Sequence, residues 1–232
     1  MMKKQKATGI LFIAFPILLQ IPFTLLAIRY DYPDILREPA GSIMQSFHQG
    51  GPSLIGLWYA YALSILIFAA ALLRYRSLSR RKKLESSIRI VGFFSAAIQM
   101  IALLRWTFIV PLLSRLYVEA PSDSARSAIE AIFAVQHQFL GVGLGEHIGQ
   151  LTLSIWTVLM VRDHAGISRG IDILGLSAAL VLCLGLIEHL AEVFTFSAGI
   201  FAEGALVGFL LWSVWLILVG VGLIRGSHRD TP

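Results

Sequence analysis

Six runs of apolar residues, each long enough to cross a bilayer as one helix, divide this chain, and short polar patches separate them. A crossing helix needs about 20 such residues, because hydrocarbon offers no partner to a bare backbone group. The runs fall at about 7–28, 52–73, 88–113, 133–161, 171–196 and 205–224. Only 14% of residues are charged, where a soluble domain carries roughly a quarter. The pattern predicts an all-α polytopic membrane helical bundle of about six transmembrane helices, with residues 1–232 as a single membrane-embedded domain. The first run follows Lys3, Lys4 and Lys6 as a signal peptide would, yet it is longer than an h-region and lacks an Ala-x-Ala site. It reads as an uncleaved span.

Basic residues orient the bundle. If the runs alternate in direction, one side receives Lys3, Lys4, Lys6, the basic residues of 74–83, Arg89, Arg162, Arg169, Arg225 and Arg229. The other receives Arg29, Arg37, Arg115 and Arg126. The Lys/Arg-rich side is expected in the cytoplasm. An even number of crossings then places both termini there, in the inner membrane. The net charge of +5 gathers at the ends of apolar runs, so it fits a lipid bilayer as partner and excludes nucleic acid. Cys183 is the sole cysteine, which rules out an intrachain disulfide.

Two stretches depart from a plain span. Residues 35–49 carry Ile35, Leu36, Ile43, Met44 and Phe47 among polar neighbours, as either a short amphipathic helix on the outer surface or an ordered loop. The run through 129–160 is too long for a core about 30 Å thick, so its first turns are expected to project outward or the helix to tilt.

An ionisable group at mid-bilayer costs at least about 2.5–3.5 kcal/mol, which makes each one a candidate site residue. Arg105, His137, Glu146, His147, Glu188, His189 and Glu192 all lie in the third, fourth and fifth runs. Counting residues from each end brings them to the outer half of the membrane, with Glu146 and His147 near its middle. Two octets repeat: Gly143-Leu144-Gly145-Glu146-His147-Ile148-Gly149-Gln150 and Gly185-Leu186-Ile187-Glu188-His189-Leu190-Ala191-Glu192. Each sets a Glu-His pair behind a glycine. Gly141, Gly145 and Gly149 form a small-residue row that permits close helix approach. A stripe through Gln136, Gly143, His147, Gln150 and Ser154 has α-helical spacing and is expected as a helix–helix seam.

This chemistry admits several uses. Imidazole and carboxylate groups on facing helices hold zinc, iron or manganese in bundles, with His147, His189, Glu192 and His137 as ligands and His48 as an addition. Glu146 and Glu188 would then be ligands or proton carriers, and Arg105 a counter-charge or anion binder. This is the leading expectation: a metal-dependent membrane protein acting on a lipophilic small molecule, with an enzymatic role left open. Haem between two histidines is disfavoured by the carboxylate beside each. The alternative is a proton-coupled transporter or small-molecule binder using the same residues, and the plainest reading is a structural network in which Arg105 pairs with Glu188 or Glu192. No Gly-x-Ser-x-Gly elbow, P-loop or dinucleotide fingerprint occurs, and the spans hold no interior lysine for a retinal Schiff base.

Asp31-Tyr32-Pro33-Asp34-Ile35-Leu36-Arg37, Gly50-Gly51-Pro52, Leu57-Trp58-Tyr59, Leu104-Arg105-Trp106, His137-Gln138-Phe139-Leu140-Gly141 and Gly145-Glu146-His147-Ile148-Gly149 together give the chain a family likeness. Over nearly its whole length it resembles a family of bacterial multi-pass membrane proteins catalogued as a domain of unknown function. The resemblance implies a prokaryotic inner-membrane protein and brings no reaction, substrate or catalytic residue with it.

Overall fold

A computed structural model of the protein describes residues 2–75, 82–164, 168–197 and 199–229, excepting the side chains of 2–4, 82, 164, 192, 200, 202 and 227–229. The heart of the basic stretch, 76–81, and the Glu192 side chain lie outside the described residues.

Every described element is a helix. α1 (Met2–Tyr30) runs through Pro16 and Pro22. A 3₁₀ turn (Asp34–Arg37) leads to α2 (Ala40–Arg74). α3 (Lys82–Phe108) breaks at Ile109, and α4 (Val110–Val118) resumes with Pro111 in its first turn, where the missing N–H of proline does no harm. α5 (Asp123–Gln136) passes directly into a π-helix (His137–Ile148) and on into α6 (Gly149–His164), with helical backbone angles at both junctions. α7 (Arg169–Phe194), a second 3₁₀ turn (Gly199–Glu203) and α8 (Gly204–Arg229) complete the chain.

Five of these stretches are long and apolar enough to cross a membrane: Gln5–Tyr30, Ala40–Arg74, Lys83–Val118, Arg169–Ala191 and Gly204–Gly226. The remaining expected crossing, 133–161, falls on the π-helix and α6. Its N-terminal extension is α5, which begins at a Ser122 cap whose Oγ accepts the Ala125 N–H at 3.3 Å and stays mostly exposed.

From Ala40 onward the segment 35–49 is a helix rather than a loop. Between Ala40 and Gly50 it buries Gly41, Ile43, Met44 and Phe47 while Ser42, Gln45 and His48 stay exposed, the spacing of an amphipathic helix. Gly51 ends it with φ +59° and ψ −157°, angles closed to residues with a Cβ, and Pro52 starts the crossing proper. The Tyr30 hydroxyl fastens the segment by donating to the Ile43 carbonyl at 3.1 Å.

Contacts define two ends of the bundle. At one, Gly9 of α1 abuts the Gly220 carbonyl of α8, and Gly175 of α7 abuts the Trp215 ring. There the Tyr75 hydroxyl after α2 also donates to Asp163 of α6 at 2.5 Å. This end carries the flanking basic residues. At the other, Gly185 of α7 meets the Gly204–Ala205 backbone of α8, and Arg37 meets Glu188. An aromatic core fills each end. Phe12, Phe68, Trp156, Trp212 and Trp215 pack near the basic end. Tyr30, Phe47, Trp58, Trp106 and Phe133 pack at the other, where Trp58 and Trp106 stack at 4.6 Å.

A polar chamber between the two cores

Between the cores lies a chamber of about 480 Å³, walled by every crossing helix. Its floor is apolar: Phe15, Leu19, Ile65, Phe68, Phe209 and Trp212. Its upper wall is polar: Gln99, Arg105, His137, Glu146, Gln150 and His189, with Tyr32 and Tyr61. Asp34, Arg37, Glu188 and Glu203 stand at the far end from the basic residues.

The glycine row builds this wall. Gly141, Gly145 and Gly149 face Arg105, Ala102 and Gln99 of α3, one turn apart. A methyl on Gly141 would overlap the Arg105 guanidinium, on Gly145 it would lie 2.5 Å from the Ala102 Cβ, and on Gly149 2.8 Å from the Gln99 Cγ. The seam expected through Gly143 is displaced, for a Cβ at Gly143 would meet no other helix. The π-helix is the reason. His137 and Glu146 are nine residues apart, about two and a half turns of α-helix, which sets them on opposite faces. The wider i→i+5 winding returns them to one face, so His137, Gly141, Val142, Glu146 and Gln150 all line the chamber and His147 does not.

The two Glu-His pairs meet by one cross-contact. His189 Nε2 lies 3.1 Å from Glu146 Oε2, with the imidazole 5% exposed. The Glu146 carboxylate keeps 37% of its surface open, and what it opens onto is the chamber. The His147 ring sits 5.8 Å from the His189 ring, edge to face. Glu188 turns toward the mouth, where Arg37 Nη2 is 3.5 Å away while Arg37 Nη1 donates to Asp34 at 2.9 Å. Thus Arg37, and not Arg105, takes Glu188. Arg105 is buried, donates from Nη1 to the Ala102 carbonyl at 3.2 Å, has His137 Nδ1 3.5 Å from Nη2, and lies 5.3 Å from the Trp106 ring centroid. Its Nε has no hydrogen-bond partner among the described residues. The His137 ring stacks on Phe133 at 5.6 Å.

Sequence reasoning passed over Arg37, Tyr32 and Tyr61. The Asp34-x-x-Arg37 spacing fits a local ion pair, but nothing in it indicates the long-range reach to Glu188. Tyr32 lies in the turn between α1 and α2, outside the spans, and burial, reinforced by Glu146, holds its hydroxyl well above the usual tyrosine range. It remains a protonated donor. His48 is exposed and takes no part in the chamber. Among the described residues no three His, Cys, Asp or Glu side chains gather as a metal site requires.

A bundle of apolar helices around a polar chamber defines a multi-pass membrane protein. The chain belongs to the family described as Domain of unknown function (DUF4386), whose model matches residues 7–220. No curated protein and no solved structure matches it.

Proposed function

We propose that this protein holds a small lipophilic molecule in the chamber, with Arg105, Glu146 and His189 as its polar anchor and the aromatic floor receiving its apolar part. The basic end faces the cytoplasm of an inner membrane on this reading, and the polar end faces outward. The supporting observation is the chamber itself: about 480 Å³, apolar on one side and lined by convergent polar groups on the other, is the form of a small-molecule site. A polar network serving only to join helices would have closed over its own groups.

The test is co-extraction. Protein purified in nanodiscs is extracted with organic solvent and the extract compared by mass spectrometry with that of Leu206→Trp, which places bulk on the chamber wall, and of Glu146→Ala. A compound near stoichiometry in the wild type and depleted in both variants supports the reading. Identical extracts from all three overturn it. Near-stoichiometric zinc, iron or manganese, lost in both His147→Ala and His189→Ala, would replace it with the metal-dependent reading.

A second reading draws on the Glu146–His189 contact. A carboxylate and an imidazole at 3.1 Å inside a bundle are suited to relay a proton. Proton uptake into liposomes that Glu146→Gln abolishes would make the chamber a transport site.

A further inference from the structure

We infer that residues 33–38 form a lid over the chamber's mouth, latched shut by the Arg37–Glu188 ion pair. The inference rests on the ligand-binding reading above and adds how the chamber exchanges its contents.

Two rims face each other at the mouth. One is the turn between α1 and α2, from which Tyr32, Pro33, Asp34, Leu36 and Arg37 all reach the chamber lining. The other is Glu188 of α7, with Glu203 just before α8. The turn is fastened firmly on its own side. The Tyr32 ring meets Trp58, Phe23 and Tyr61 edge to face at 5.0, 5.6 and 6.5 Å. Beyond the turn, Gly41, Ile43 and Met44 bury the start of α2. Between these two anchors, Asp34–Arg37 buries no residue at all.

What ties this stretch to the far rim is slight. Among the described residues its one polar contact with α7 runs from Arg37 Nη2 to Glu188 Oε1 at 3.5 Å, with side chains 57% and 23% exposed. An ion pair so open adds little stability and is screened by salt. The exposed pairs Arg89–Glu85 and Arg126–Asp123 join neighbours on one helix, whereas this one spans the mouth. Breaking it strands no charge. Arg37 keeps Asp34, 2.9 Å away in the same turn, and Glu188 is already partly exposed. Lifting 33–38 also leaves the chamber formed, because Arg105, Glu146, His189 and the aromatic floor stand on helices. A segment with few buried contacts between fixed ends is the kind that opens locally while the rest stays folded.

The test reads the opening without a ligand. Ala96 lines the chamber and is 5% exposed. In a Cys183→Ser background, Ala96→Cys in nanodiscs is alkylated by a cationic and, separately, an anionic water-soluble methanethiosulfonate. Arg37→Ala and Glu188→Gln should each speed both reagents about two- to fivefold, and the two together no more than either alone. About 1 M salt should speed the parent by a similar factor and leave both variants unchanged. Steering by mouth charge would move the two reagents in opposite directions, and that outcome overturns the latch. So does acceleration by Arg37→Ala without Glu188→Gln. Equal rates in parent and variants, or no labelling in any, overturn the lid. Identical co-extracts in the earlier experiment would remove the ligand-binding reading, while the labelling rates would still decide the lid.

Discussion

The two aromatic halves of this bundle use similar residues to opposite ends. Near the basic end, Phe12, Phe68, Trp156, Trp212 and Trp215 touch one another, and the Trp156 ring meets Phe68 edge to face at 4.9 Å. Some polar groups there find partners: the Trp212 indole donates to Thr157 Oγ1 at 2.9 Å, and Tyr75 donates to Asp163 at 2.5 Å, while the Trp156 and Trp215 indole N–H groups find none among the described residues. At the other end Trp58 and Trp106 stack at 4.6 Å, and between the two cores polar side chains line a chamber instead of one another. Dense packing is the ordinary state of an interior, so the chamber is the departure that needs a reason. Departures of this kind concentrate where a protein acts. The two cores hold the bundle together and the chamber between them is free to hold something else.

Four tests, three of them paired substitutions, probe that contrast. Trp156→Ala should have the largest effect, a loss of about 3–5 kcal/mol in thermal unfolding of the detergent-solubilised protein. Phe209→Ala, on the chamber floor, should lose less than half as much; equal losses would end the distinction. Gly141→Ala should cost about 1–3 kcal/mol, because its methyl has nowhere to go but into Arg105. Gly143→Ala, two residues along and clear of any neighbouring helix, should instead be neutral or stabilising by about 0.5–1 kcal/mol. Third, Ala178→Leu in the packed half should cost about 1–3 kcal/mol by overpacking, whereas Leu206→Phe on the chamber wall should stay within about 0.5 kcal/mol. The smallest effect belongs to Arg37→Ala. Its side chain is 57% exposed and its partner Glu188 23% exposed, so the loss should be at most about 1 kcal/mol and should vanish at high salt.

What sequence revealed follows from what periodicity encodes. Spans are legible because each needs a minimum apolar length. The helix from Ala40 to Gly50 is half legible: Ile43, Met44 and Phe47 recur at helical spacing, yet the pattern over 35–49 fits an ordered loop as well, and 34–37 is a 3₁₀ turn. The repeated octets set a Glu-His pair on each of two helices, and the meeting of Glu146 and His189 joins one member of each, while the Gly141, Gly145 and Gly149 row does carry a close approach. What sequence hid depends on winding and on distant chain. An assumption of 3.6 residues per turn turned the seam to Gly143 and His147, because i→i+5 winding leaves no signature in polarity alone. It also offered Arg105 to Glu188, since nothing local shows that a turn after α1 delivers Arg37 first. The chamber is a property of six walls at once and has no linear pattern.

The π-helix also bears on how this stretch tolerates changes of length. Removing two residues between His137 and Glu146 would leave them seven apart, about two turns of ordinary α-helix, and again on one face. Removing one would satisfy neither winding. Relatives that are shorter here should therefore differ by two residues and wind as a plain α-helix, with their histidine and glutamate still side by side.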